Sequence, residues 1–135
     1  MDQDPPRSYQ LSIDNFLDSL KYDHDGLVAA IIQDDANGEV LMVGWMDREA
    51  VRRTLTSGRT CFWSRSRQKY WVKGETSGNT QEVRAIYVDC DKDALVVKVD
   101  QRGAACHEGY RSCFFREVDS EGNETVVGRK LTDAY

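Results

Sequence analysis

Apolar positions fall into short clusters separated by polar turns, and two stretches carry helical spacing. Phe16, Leu17 and Leu20 share one face of a helix from about Asp14 to Tyr22, with Ser12 placed to cap it. Residues 26–33 (GLVAAIIQ) read as a buried strand, residues 34–38 (DDANG) as a turn built on Asn37-Gly38, and residues 39–45 (EVLMVGW) as the returning strand of a hairpin. Asp47 then caps a second helix, with Ala50, Val51 and Leu55 inward and Gly58 just past its end. Residues 60–64 and 69–72 are short strands rich in Phe, Trp and Tyr. A polar loop follows at 73–79 (KGETSGN). Strands are expected at 83–88 and 94–99, then a loop over 100–112 and a last strand from Cys113 to Val118. The tail from Asp119 has no clear pattern, and residues 1–11 read as a loose polar start broken by Pro5-Pro6. The whole is one α+β domain with mostly antiparallel strands and two short helices.

At 135 residues the chain has room for one domain of ordinary size. Eighteen Lys and Arg against 23 Asp and Glu give a formal charge of −5, which argues against a general nucleic-acid or membrane-surface binder. The longest uncharged apolar stretch, Gly26 to Ile32, is far short of a membrane span. No basic start leads into an apolar run, so a signal peptide is not expected and a cytoplasmic location is. In a reducing compartment Cys61, Cys90, Cys106 and Cys113 point to metal or catalytic chemistry before disulfides.

Three features carry candidate chemistry. Asp89, Asp91 and Asp93 alternate with Cys90 and Lys92. If that run is extended, the three carboxylates share one face and Cys90 points the other way. Clustered carboxylates need a positive occupant, and Mg²⁺ suits them. The plainer alternative is a solvated acidic turn. An EF-hand does not fit, since Ala94 stands where its glycine belongs and Asp100 where its glutamate belongs.

Cys90, Cys106 and Cys113 lack the paired spacing of a zinc ribbon, yet three thiolates can hold zinc with a fourth position open. Cys61, inside an aromatic strand pattern, reads instead as a small buried residue. His107, beside Cys106, suits proton transfer near neutrality; a solvent-facing loop histidine is the alternative. His24 lies in a polar turn and is given no role.

Residues 59–73 form the one positive island, with Arg59, Arg65, Arg67, Lys69 and Lys73 interleaved with Phe62, Trp63, Tyr70 and Trp71. Cations for phosphate and rings for a base suit a nucleotide. The neighbouring loop adds Thr76, Ser77 and amides near Gly74 and Gly78, but not the order of a P-loop. A core sheet with solvated cations is the alternative.

Taken together, GLVAAIIQD, GEVLMVGWM, FWSRSRQKYWVKGETSGN, DCDKDAL and VDQRGAACHEGYRSCFF resemble the phosphoribosyl-AMP cyclohydrolase family of histidine biosynthesis. These stretches run from about Gly26 to Phe115. The resemblance implies hydrolysis of the N1–C6 bond of the adenine ring in phosphoribosyl-AMP by a zinc-activated water. It implies Zn²⁺ on Cys90, Cys106 and Cys113 and Mg²⁺ on Asp89, Asp91 and Asp93. It further implies an intertwined homodimer in which Cys90 comes from the neighbouring subunit. On that reading His107 moves a proton, Arg65, Arg67, Lys73, Thr76 and Ser77 grip phosphate, and Trp71 lies against a ring. Asn79 stands where the family often has histidine and receives no proton-transfer role. The pyrophosphohydrolase domain fused in many relatives is expected on a separate protein.

Two rivals differ in class. A zinc nucleobase deaminase would need an HxE motif ahead of PCxxC, and neither occurs in the chain. A metal-stabilised module binding nucleotide or RNA through 59–73 would need a closed zinc site, with His107 as its fourth ligand.

Overall fold

Strand β1 (Val28–Asp34) buries every second residue, so Val28, Ala30, Ile32 and Asp34 all face inward. This parity places a carboxylate at the end of an apolar stripe. The computed structural model, which describes residues 4–134, pairs β1 antiparallel with β2 (Val40–Met46) and parallel with β6 (Ala94–Gln101). β5 (Gln81–Val88) completes a four-stranded sheet in the order β2-β1-β6-β5. All other strand pairs are antiparallel, so the molecule is α+β as the pattern predicts.

The two helices begin where their caps stand. The Ser12 hydroxyl accepts from Asn15 N–H at the start of α1 (Ile13–Ser19). This helix stops at Ser19, short of the expected Tyr22, because Leu20 is already extended and the Tyr22 hydroxyl donates to the Leu17 carbonyl. The Asp47 carboxylate accepts from Ala50 N–H at the start of α2 (Arg48–Ser57), and Gly58 closes it at φ 73°. The other oxygen of Asp47 accepts from the Tyr70 hydroxyl at 2.6 Å. Burial and that carboxylate push the Tyr70 phenol up to about 12. α2 thereby ties the aromatic hairpin, β3 (Cys61–Ser64) and β4 (Lys69–Val72), to the sheet.

The core lies between the sheet, α2 and β3. Leu17, Ile32, Leu41, Met46, Val51, Phe62, Leu95 and Val97 are fully or nearly fully buried there. A Cβ on Gly44 would lie 2.4 Å from the Phe62 ring, so β2 admits no side chain at that point. Cys61 is buried in this core, and burial raises its thiol pKa.

Three segments differ from the sequence expectation. Asp34 belongs to β1 and not to the turn, which spans the residues between it and Val40. The last apolar run is a strand only at β7 (Arg116–Val118), while Cys113 to Phe115 form a bend against the edge of β2. There Cys113 N–H donates to the Leu41 carbonyl and the Ser112 hydroxyl to the Val40 carbonyl. The tail is ordered: β8 (Glu124–Val126) pairs with β7, Gly128 packs on Phe115, and Leu131 N–H donates to the Gly109 carbonyl. Among the described residues no helix is long and apolar enough to cross a membrane.

The buried Asp34 meets Arg111 across the fold, Nη2 to Oδ2 at 2.5 Å. Burial opposes ionisation of Asp34, but the guanidinium and the Ala36 N–H outweigh it and hold the carboxyl below its ordinary range. A carboxyl with a depressed folded pKa contributes stability above its unfolded pKa of roughly 4, and that contribution is lost as pH falls through the folded value. Asp34→Asn leaves a largely buried cation without its counter-charge, so it should destabilise the chain by about 3 kcal/mol at neutral pH. Denaturant unfolding from about pH 7 to pH 3 should show the wild type losing more stability than this variant. Parallel curves would mean the pair contributes nothing.

Candidate functional site

Arg111 organises the loop that carries two of the three candidate thiols. Its Nη1 donates to the carbonyls of Gln101 and Gly103, both at 2.8 Å, while its backbone N–H donates to Arg129. The loop closes on itself through Ala105 N–H to the Arg111 carbonyl and Cys106 N–H to the Tyr110 carbonyl. Gly109 turns it at φ 91°, where a Cβ would also strike the Thr132 carbonyl. Tyr110 stacks on Phe115 with ring centroids 3.9 Å apart. These ties bring Cys106 and Cys113 together from opposite ends of the loop. Desolvation and the adjacent Cys106 sulfur push the Cys113 thiol up to about 11. Two thiols set side by side are a donor pair for a soft or borderline metal such as zinc. His107, next to them, is exposed.

Cys90 does not join that pair. Among the described residues no third Cys, His, Asp or Glu lies within 4.8 Å of both sulfurs. Cys90 precedes β6, whereas the cysteine loop follows it, and eight strand residues separate the two ends by about 26 Å. Cys90 is exposed.

The acidic run forms a turn between β5 and β6 and not an extended segment. Lys92 takes φ 68°, and Asp89 accepts from the N–H groups of Asp93 and Ala94. Strand alternation is therefore not what gathers the carboxylates. The turn does so, and Asp89, Asp91 and Asp93 each present an oxygen within 4.8 Å of the others. Contacts with Asp89 and Asp91 push Asp93 up to about 6. Asp89 is lowered: its desolvation is outweighed by hydrogen bonds from the Asp93 carboxyl and from backbone N–H groups. Three carboxylates this close repel one another, and a hard divalent cation would relieve that repulsion.

The basic island separates, with Arg59 paired to Glu82 at 3.3 Å and Arg65, Arg67 and Lys73 each in different surroundings. Arg67, Trp71, Thr76 and Ser77 line one cavity of about 380 Å³, together with Gly74 and Glu75. Trp71 rests on Phe62 with centroids 4.7 Å apart and turns its remaining surface to that cavity. Arg65 lies elsewhere, 3.8 Å from Asp25 and over the Trp45 ring. Lys73 does not line that cavity. Its half-buried ammonium donates to the Ala105 carbonyl at 2.6 Å. Burial lowers its pKa, against the pull of the Cys113 and Cys106 sulfurs.

Sequence reasoning missed Arg111, Asp34 and the ordered tail. Asp34 had a signal, since it continues the inward parity of β1. Arg111 had none, because its partner lies 77 positions away.

The family model for phosphoribosyl-AMP cyclohydrolase matches residues 42–115, which include every candidate site residue. A protein of that name from Pelotomaculum thermopropionicum is 58% identical over 117 residues, covering 87% of this chain and 91% of the relative. One from Chlorobium phaeovibrioides is 54% identical, covering 83% and 82%. Another from Alcanivorax borkumensis is 50% identical, covering 95% and 89%. With its cysteine loop, acidic turn and cavity all inside the matched span, the chain belongs to the phosphoribosyl-AMP cyclohydrolase family.

Proposed function

We propose that the chain opens the adenine ring of 1-(5-phosphoribosyl)-AMP by hydrolysing its N1–C6 bond, giving the formimino-linked imidazole carboxamide ribonucleotide of histidine biosynthesis. The pairing of Cys106 with Cys113 beside exposed His107 carries this reading. The two thiols lie together, and among the described residues no third such donor joins them. Cys90 of a second copy would serve as the third donor, because it is exposed and the length of β6 separates it from its own loop. The protein on this reading is a homodimer with two shared zinc sites. It works in the cytoplasm, where thiols stay reduced.

When bound, zinc supplies a Lewis-acid centre that lowers the pKa of a ligated water toward neutrality. The remaining work falls to side chains. Arg67, Thr76 and Ser77 hold phosphate in the cavity, and the exposed part of Trp71 lies along a ring. The ring carbon C6 is electrophilic because N1 is alkylated. Addition of water there releases a proton, and cleavage of C6–N1 demands one at N1. His107 is the group beside the thiols able to carry it. Asp89, Asp91 and Asp93 would hold magnesium, which would supply positive charge for a phosphate. Arg65, paired with Asp25, serves phosphate only if that contact opens.

Turnover of phosphoribosyl-AMP, followed by the ultraviolet change of ring opening, tests the reaction. Cys106→Ser should lose zinc and turnover together. His107→Ala should keep zinc and lose about 100-fold or more in kcat. Wild-type turnover in Cys106→Ser would contradict the thiol chemistry, and unchanged kcat in His107→Ala would remove the histidine. Magnesium added near pH 6 should release a proton from Asp93, whereas above about pH 8 it should release none. Equal release at both values would place magnesium elsewhere.

A further inference from the structure

Lys73 sits in the positive island, and its sequence position suggests a phosphate ligand. Its placement does not. The ammonium is absent from the cavity lined by Arg67, Trp71, Thr76 and Ser77, although its neighbours Val72 and Gly74 both line that cavity. It donates instead to the Ala105 carbonyl, one residue before Cys106. The Cys106 and Cys113 sulfurs act on its charge there. The Trp71 ring lies 6.0 Å from Nζ and covers part of it.

We infer that Lys73 is a positioning residue for the metal site. It clamps the peptide before Cys106 and places one fixed positive charge behind the thiol pair. The inference rests on the zinc reading above. Three thiolates around one Zn²⁺ leave the centre at −1, and one ammonium beside them brings it to zero. Few cations serve this purpose without competing for the thiols. An ammonium does, because it donates hydrogen bonds but has no lone pair while charged. A half-buried cation is costly on its own, and its hydrogen bond to the Ala105 carbonyl holds it one residue from Cys106. Neighbours of this kind change metal affinity by about 10- to 100-fold.

The test compares Lys73→Met, Lys73→Arg and Cys106→Ser with the full-length wild type. Zinc affinity is read by competition with a chromophoric chelator, alongside thermal melting of the metal-free proteins. Lys73→Met should weaken zinc about 10- to 100-fold. Its metal-free melting temperature should not fall, since a methionine of similar length avoids burying a charge. Lys73→Arg, which keeps the charge, should recover most of the affinity. In turnover, Lys73→Met should lower kcat with little change in KM at saturating zinc, whereas a phosphate ligand would raise KM. Unchanged zinc affinity in Lys73→Met, with a raised KM, would overturn the inference and return Lys73 to phosphate. Wild-type zinc affinity in Cys106→Ser would instead overturn the zinc reading itself.

Discussion

A carboxylate forced inward at the end of β1 needs a counter-charge, and Arg111 supplies it from 77 positions away. This pair sets where the cysteine loop can lie. One guanidinium joins the ends of β1 and β6 to the loop, and its own backbone N–H reaches the tail at Arg129. Because Arg111 lies only two residues before Cys113, fixing it fixes the thiol. The edge of β2 completes the positioning through Leu41. The order of the tail follows from the same constraint, since Gly109 and Gly128 admit it only by lacking side chains.

The candidate chemistry sits at the two ends of one strand. The acidic turn enters β6 and the cysteine loop leaves it. Each end gathers its donors locally, oxygen at one and sulfur at the other, so the two sites can favour different cations. The separation also explains why Cys90, adjacent to two aspartates in sequence, cannot reach Cys106 within one chain. A strand rises by about 3.3 Å per residue and does not fold back on itself.

Local signals in the sequence were sufficient wherever local physics decides the outcome. Ser12, Asp47 and Gly58 mark helix ends, and each does so in the structure. The aromatic hairpin follows from Phe, Trp and Tyr around a polar turn. The family resemblance is borne out over most of the chain. Non-local features were not legible. Alternation suggested an extended acidic run, but the left-handed Lys92 turns it, and the carboxylates meet for a different reason. Lys73 looked like part of a cationic surface because composition does not say which way a side chain points. Residues 113–115 had strand character, yet docking onto Leu41 bent them.

On the proposed reading a working site takes Cys106 and Cys113 from one copy and Cys90 from another. Subunit mixing tests it directly. Cys90→Ser and Cys106→Ser proteins, each inactive alone, would be unfolded together in equal amounts, refolded with zinc and assayed. Half of the random dimers are then mixed, and each mixed dimer holds one intact site, so turnover should return to about a quarter of the wild-type value. A mixture as inactive as its components would contradict the claim, because all ligands would then belong to a single chain.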